Sequence, residues 1–352
     1  MVEIADLRDC APSGLFYGGR AGQKEGILIE GEPWIAKYPR TTRDLMGKHL
    51  PSYTSSPVSE YLGSHIYELL GIPVHETMLG YRAGKIVCAC RDFTFPNARL
   101  FEFKEIKNAL SDDDAGFSSA PSDGEVILLG DVLAAIETSD LLRRVPGVRE
   151  RFWDMFVADA FIKNPDRNNG NWGVLMTAPM TYELAPVYDM GSSLFSKRSP
   201  SVAAHRLGDE EAEREDAFGT NVSCYRLPAG EGGSVAIHPF EYMAKTSNPD
   251  LTAAIKRFAA AVDMSAIDAL IDSVPEEAYG MPNPDAIFEM EIAKLPGSED
   301  LEVGQQVYLT NQMGQPFPVK VTAKDEVNIT FDANHEMAGK ELNFKIELVE
   351  VK

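Results

Sequence analysis

The hydrophobic pattern of the chain changes twice along its length, and this order limits the possible folds more than any other feature. Near the N-terminus, short apolar runs such as "GILIEG" and "PWIAKYP" predict strands. From about residue 129, apolar residues recur at helical spacing, as in "GVRERFWDMFVADAFI". β-branched and aromatic runs such as "QQVYLTN" and "EVNITFD" then return. The order predicts an α+β protein with a strand-rich lobe at 1–95, a helical lobe at 96–275 and a small antiparallel β module at 276–352.

The tail differs from the rest of the chain in composition as well. From Glu276 onward there is no Arg, Cys or Trp, and 15 acidic residues stand against 6 Lys, a net charge of 6 − 15 = −9. Short strand-like runs are separated there by turn-forming stretches such as "QMGQP". We therefore predict a domain boundary near Pro275–Pro284.

The charge of the whole chain limits its partners. The formal net charge is −21 over 352 residues, which disfavours nucleic acid and anionic membranes as partners. The N-terminus has no signal-peptide pattern, and no apolar run reaches the length of a membrane helix. The four cysteines lack disulfide or zinc spacing and indicate free thiols in a reducing compartment. We expect a cytoplasmic protein.

One helix near the N-terminus carries a candidate functional carboxylate. Pro57 suits its first turn, apolar residues from Val58 onward repeat at helical spacing, and Gly71 ends it. Glu60 lies on this helix. Alone it would equally suit a solvated helix face, since Glu is common on surfaces.

The stretch "KNPDRNNGNW" follows a long apolar helix and contains Asp166 and Asn171, five residues apart. An Asp and an Asn at this spacing arise by chance about once in a chain this long, so the pair needs context. Lys37 precedes it at the end of a strand, and Asp189 follows it in "LAPVYDMGSSLF". A kinase-like phosphoryl transfer site needs, in this order along the chain, a cation, a carboxylate that orients the hydroxyl and two oxygen ligands for Mg²⁺.

Taken together, these segments resemble the HipA-like kinases, and most closely the branch of small CtkA-type bacterial serine/threonine kinases. The segments "IAKYP", "SEYLGSHIYELLGIPV", "DRNNGNWG" and "APVYDMGSSL" carry the resemblance over about residues 14–275. It implies a two-lobed protein-kinase-like fold that binds ATP and Mg²⁺ and phosphorylates Ser or Thr of a protein substrate. Matched by position, the implied roles are a catalytic base for Asp166, Mg²⁺ ligands for Asn171 and Asp189, a phosphate contact for Lys37 and a carboxylate near Lys37 for Glu60.

Two positions depart from the common pattern of these kinases. Asn168 stands where many HipA-like sequences have His. In this position the chain resembles the CtkA-type branch, which tolerates Asn. The Gly-rich turn "YGGRAGQK" differs from the kinase pattern G-x-G-x-x-G, so that pattern does not fix which of its residues contact phosphate. The residues of this turn that we predict to bind ATP are Gly18, Gly19, Gly22 and Lys24, with Arg20 as an equal alternative to Lys24.

The tail resembles a different family. From "EEAYG" to "LNFKIELVEV" it is similar to the C-terminal half of an SlyD-type FKBP prolyl isomerase, including the inserted flap associated with chaperone activity. Tyr279 matches the tyrosine of the isomerase pocket. The other half of that pocket is missing, so we expect little or no isomerase activity. The resemblance implies a module that binds an unfolded chain or another protein partner.

Two other functions remain open at this point. One is a catalytically silent kinase fold that serves as a binding protein with a chaperone-like flap. The other is a small-molecule or lipid kinase, because similar loops occur in phosphoinositide kinases. Among the remaining residues, we interpret His75, His205 and His335 as surface or capping residues, and Arg167 as loop geometry. Ser13 and Ser199 are candidate autophosphorylation sites.

Overall fold

The structure is a computed structural model of the chain, and it is described here for most of the sequence. The described residues are 2–17, 24–41, 54–113, 126–198, 202–203, 206–275, 278, 287–295, 297–310, 316–325 and 327–333. None of the helices in these ranges is both long enough and apolar enough to cross a membrane.

The first sheet has five strands, in the spatial order β1-β4-β5-β3-β2. Only β1 and β4 pair in parallel; the other neighbours are antiparallel. The strands are β1 (Ala5–Asp6), β2 (Lys24–Ile29), β3 (Glu32–Lys37), β4 (Thr77–Arg82) and β5 (Lys85–Arg91). Strands β2 and β3 form a hairpin whose loop residues Glu30 and Gly31 have φ of 53° and 84°. Two positive φ angles in a two-residue loop match the right-handed twist of the strands.

Helix α1 (Ser56–Leu69) packs on β4 and β5. Pro57 stands in its first turn, and Gly71, with φ of 73°, lies just beyond its end, as the sequence predicts. The helix buries nearly its whole first half against the sheet and the second lobe. Glu60 is 1% exposed, so it does not lie on a solvated helix face.

The second part of the chain is mainly helical and is built around α5, whose aromatic residues Phe152, Trp153 and Phe156 lie in the largest hydrophobic core. Its helices are α2 (Phe103–Asp113), α3 (Leu129–Thr138), α4 (Asp140–Arg143), α5 (Val148–Phe161), α6 (Glu210–Arg214), α7 (Pro239–Ala244), α8 (Pro249–Ala261) and α9 (Met264–Ser273). Two small sheets accompany them, ordered β6-β8-β9 and β7-β10-β11. Their strands are β6 (Arg99–Glu102), β7 (Ile127–Leu128), β8 (Gly173–Ala178), β9 (Thr181–Leu184), β10 (Tyr225–Pro228) and β11 (Ser234–Ala236).

The tail forms a separate antiparallel sheet in the order β12-β15-β14-β13. The strands are β12 (Ile287–Glu291), β13 (Gln306–Thr310), β14 (Pro316–Lys324) and β15 (Asn328–Asp332). It has its own core of Val319, Val321, Ile329 and Phe331. The antiparallel module expected from the sequence is therefore confirmed. The predicted closing strand "LNFKIELVEV" and most of the boundary near Pro275–Pro284 lie outside the described residues, and the domain limits stay predictions.

Candidate active site

The site begins with a buried ion pair between the first sheet and α1. Lys37 is the last residue of β3, where its Cα pairs with Cys88 of β5. Its Nζ donates a hydrogen bond to Glu60 Oε1 at 2.8 Å. Because Glu60 faces the sheet from the second turn of α1, strand and helix together hold the two charges in contact.

Asp189 completes this cluster from the second lobe. Its Oδ1 accepts a second hydrogen bond from Lys37 Nζ at 2.9 Å, and its backbone N–H donates to Glu60 Oε1 at 3.1 Å. Asp189 has φ of 65°, a conformation that costs a non-glycine residue about 1–3 kcal/mol. The bonds to Lys37 and Glu60 offset this cost and fix the carboxylate in place.

Two glycines let the Asp189 segment approach α1 closely. A Cβ on Gly63 would lie 2.7 Å from Met190 Cβ, and a Cβ on Gly191 would lie 3.0 Å from Glu60 Oε2. The first distance is too short for real atoms, so a side chain on Gly63 would push the two segments apart. These glycines therefore set the distance between the helix and the metal-ligand candidate Asp189.

Mutual attraction keeps the three groups charged although they are largely buried. Burial opposes the charge on Lys37, but Asp189 and Glu60 outweigh it and hold the pKa of Lys37 well above its usual value. Burial would likewise raise the pKa of both carboxyls, but the attraction of Lys37 outweighs it and lowers both. At neutral pH the cluster is one ammonium between two carboxylates.

The loop of Asp166 and Asn171 is closed by its own hydrogen bonds. Asn171 Nδ2 donates to the backbone oxygen of Asp166 at 2.6 Å, and Asn168 Nδ2 donates to Asp166 Oδ1 at 3.0 Å. A longer contact of 3.4 Å runs from Ser192 Oγ to Asp166 Oδ2. The last contact joins the loop to the segment that carries Asp189, whereas Lys37 and Glu60 make no direct hydrogen bond to Asp166 or Asn171.

Arg167 holds the Asp166 loop in place, and its burial is not predicted from the sequence. Its guanidinium is 2% exposed and pairs with Asp159 of α5 at 2.8 Å. Its Nη1 donates to the backbone oxygens of Asn171, at 2.7 Å, and Tyr188. Arg167 thus ties the Asp166 loop to the residue before Asp189, which agrees with its interpretation as a residue that sets the loop geometry. A buried Asp in the apolar helix before the loop was the available signal, because such a charge requires a partner.

Of the residues of the Gly-rich turn that are predicted to bind ATP, only Lys24 lies within the described residues. It begins β2, and its Cα pairs with that of Lys37. Its charge also helps to lower the pKa of Asp189, after the larger effects of burial and Lys37. Gly18, Gly19 and Gly22, together with Arg20, lie outside the described residues.

The prediction that His75 is a surface or capping residue is wrong. It is 5% exposed, and its Nε2 lies 3.3 Å from Glu60 Oε1 and 3.2 Å from Ser64 Oγ. Its backbone N–H donates to Val187 O at 3.0 Å, so it also contacts the segment that leads to Asp189. Nothing in the surrounding stretch "GIPVHETM" indicates that the His75 side chain is buried. Four further residues of the sequence predictions lie outside the described residues: His205, His335, Ser199 and Tyr279.

Comparison with known proteins agrees with this geometry. The sequence profile of the HipA-like C-terminal domain matches residues 21–266. The chain belongs to this family. The serine/threonine-protein kinase CtkA of Helicobacter pylori (strain J99) is 32% identical over 264 residues, which cover 74% of this chain and 75% of that protein. The crystal structure of a Helicobacter pylori proinflammatory kinase CtkA has a TM-score of 0.66 at 29% identity, covering 78% of this chain and 88% of that one. The predicted HipA-like, CtkA-type fold is confirmed.

The tail matches a second family. An FKBP-type peptidyl-prolyl cis-trans isomerase SlyD from Vibrio cholerae is 36% identical over 78 residues. These residues are 22% of this chain and 38% of that protein, so the chain spans well under half of the relative. The match confirms the SlyD-like character of the module.

Proposed function

We propose that the chain is an Mg-ATP-dependent serine/threonine protein kinase of the HipA/CtkA type. The observation that carries the proposal is the contact of Lys37 with both Glu60 and Asp189, at 2.8 and 2.9 Å. Residues 23 and 152 positions apart in sequence meet at one ammonium group. A strand lysine held by a helix carboxylate beside a metal-binding Asp is the arrangement that protein kinases require for phosphoryl transfer.

Lys37 would contact the phosphates of ATP. Its raised pKa keeps it cationic at any physiological pH, as a phosphate contact must be. Glu60 holds the ammonium from the buried side, which prevents the flexible lysine from turning away. Lys24 lies beside it on β2 and is the described residue of the Gly-rich segment that would add positive charge.

The oxygen donors of Asp189 and Asn171 fit Mg²⁺. Asp189 supplies a carboxylate, and Asn171 uses its amide nitrogen on Asp166 O, which leaves the amide oxygen for a cation. Mg²⁺ prefers such oxygen ligands and usually takes one or two from protein, with phosphate and water completing the shell. When bound, it neutralises charge on the transferring phosphoryl group.

Asp166 would accept the proton of the substrate hydroxyl. Its Oδ1 is oriented by Asn168 and its backbone by Asn171, so the carboxylate is fixed before a substrate arrives. Catalysis by this site would rest on positioning and charge neutralisation. Arg167 would contribute by holding the Asp166 loop in a fixed position.

The experiment that tests the proposal is transfer of labelled phosphate from ATP to protein in the presence of Mg²⁺. Asp189→Asn keeps the size of the side chain and removes its charge, and it should abolish transfer. The matched control is Asp268→Asn, an exposed position in α9, which should leave transfer unchanged. Phosphoamino-acid analysis should find phosphoserine or phosphothreonine. Label on a small molecule or a lipid alone would contradict the protein-kinase assignment.

We further propose that the tail module binds unfolded protein segments and has little or no prolyl isomerase activity. Its separate core supports an independent role, and Val303 and Val327, each 61% exposed, present apolar surface. The substitution Val303→Asp/Val327→Asp should weaken suppression of aggregation of a denatured client protein. Val235→Asp, on the 50% exposed Val235 of β11, is the control. Equal suppression by all variants would contradict this role.

A further inference from the structure

We propose that Glu60, His75 and Cys90 form a site for a thiophilic divalent cation such as Zn²⁺, located behind the ion pair of Lys37. One ligand atom from each residue lies within 4.8 Å of the others, and all three residues are buried. We further infer that the bound cation competes with Lys37 for Glu60 and thereby inhibits phosphoryl transfer. This second part rests on the proposed kinase function, whereas cation binding does not.

The spacing of the candidate ligands is close to that of a tetrahedral zinc site. His75 Nε2 and Glu60 Oε1 are 3.3 Å apart. Zn–N and Zn–O bonds near 2.0 Å at a tetrahedral angle place two such atoms about 3.3 Å apart. The pair therefore needs little movement to bind one ion.

Cys88 lies outside the group of three whose ligand atoms are within 4.8 Å of one another, and it is the candidate fourth ligand after a movement of its side chain. Its Sγ lies 4.0 Å from that of Cys90. Two Zn–S bonds near 2.3 Å give a separation of about 3.8 Å. Alternate residues of a strand share a face, and both cysteines belong to the core that contains α1, whereas Val87 and Ala89 face the other core. Both thiols thus lie on the Glu60 side of β5.

The ligands are held on regular, packed elements. Glu60 comes from α1, the cysteines come from the central strand β5, and His75 is tied by its backbone to Val187. Such a frame fixes the site before an ion arrives, which favours binding. Glu60 Oε2 is also buried without a hydrogen-bond partner among the described residues, and a cation bound through both carboxylate oxygens would give it a ligand bond.

The donor set selects a soft or borderline cation. Two sulfurs, one imidazole and one carboxylate suit Zn²⁺, Co²⁺ or Cd²⁺, while Mg²⁺ prefers oxygen ligands only. Ligation by His75 Nε2 uses the neutral tautomer with its proton on Nδ1, and each thiol releases a proton to solvent as its sulfur binds. The Mg²⁺ of the proposed reaction would therefore not fill this site.

Occupancy would act on the nucleotide site through a shared oxygen. Glu60 Oε1 is the atom that accepts from Lys37 Nζ and from the backbone N–H of Asp189. A cation that takes this carboxylate leaves Lys37 without the bond that holds it in place. Phosphoryl transfer should therefore fall as the site fills.

Titration of the full chain with Co²⁺ alone tests the site without any kinase assay. We expect one equivalent to give saturable visible absorption of tetrahedral cobalt with a sulfur-to-metal charge-transfer band. Cys88→Ser/Cys90→Ser should lose the charge-transfer band, and His75→Gln should weaken binding at least tenfold. Cys10→Ser is the control and should behave as wild type. Thermal unfolding checks that each variant is folded. The cysteine variant changes ligands on β5, and His75→Gln changes a ligand that lies outside that strand.

The inhibitory step is tested by adding Zn²⁺ to the labelled-phosphate assay with Mg²⁺ in excess. Wild type and Cys10→Ser should lose transfer as Zn²⁺ rises, while His75→Gln should need at least tenfold more Zn²⁺ for the same loss. Absence of a saturable tetrahedral cobalt spectrum would overturn the site. Binding without inhibition would overturn only the competition with Lys37. Binding in a chain that shows no transfer at all would refute the kinase function and leave the site standing.

Discussion

Substitution of Arg167 should cost more stability than substitution of any exposed arginine, because it strands a buried charge. Arg167→Met removes the partner of Asp159, which is 8% exposed, and leaves the carbonyls of Asn171 and Tyr188 without a donor. Breaking a buried pair from one side costs about 3–5 kcal/mol. Tyr67 still donates to Asp159 at 2.8 Å, so we expect about 3–4 kcal/mol. The second variant Arg167→Met/Asp159→Asn should recover at least about 1 kcal/mol, because no unpaired charge remains.

Urea unfolding followed by tryptophan fluorescence measures this loss, because Trp153 and Trp172 lie in the same core as α5. Arg149→Met is the matched control, since Arg149 is 43% exposed and its ion pairs lie on the surface. Surface pairs contribute about 0–1 kcal/mol. A loss below about 1 kcal/mol for Arg167→Met, or a double variant less stable than the single one, would refute the reasoning.

Three further outcomes follow from the site. Gly63→Ala should destabilise by about 1–3 kcal/mol by displacing Met190, while Gly130→Ala, with nothing within 4 Å, should be neutral or stabilising in the same urea assay. Burial lowers the pKa of His75, so the unfolded chain binds a proton at His75 at higher pH than the folded chain does. The wild type should therefore lose stability as the pH falls below about 6.5, by up to about 1.4 kcal/mol per pH unit. The variant His75→Gln should lose less, and parallel plots of stability against pH for the two proteins would contradict this. Lys37→Met should reduce phosphate transfer at least about 100-fold, and an active variant would exclude Lys37 as a phosphate contact.

The elements that the sequence predicts well are those set by local patterns. The strands β2 and β3, the start of α1 at Pro57 and its end before Gly71 follow from short apolar runs and helix-end residues, and the structure has them. Strand β5 also matches a local pattern, because it contains the apolar run "IVCAC". These features depend on neighbours in sequence, which a single sequence shows directly.

What the sequence does not show is which polar residues are buried by distant segments. Arg167 and His75 look like ordinary polar residues, and only the fold places them against Asp159 and Glu60. Such partnerships arise between residues far apart in sequence, and no periodicity records them.

The roles of the site residues are most directly tested by a single comparison, phosphate transfer from labelled ATP by wild type and by Asp189→Asn. With Mg²⁺ present, the wild-type chain should label Ser or Thr of itself or of another protein. The Asp189→Asn variant, folded as judged by its unfolding curve, should give no label. Absence of label from wild type in any protein mixture, or undiminished label from the variant, would contradict the account.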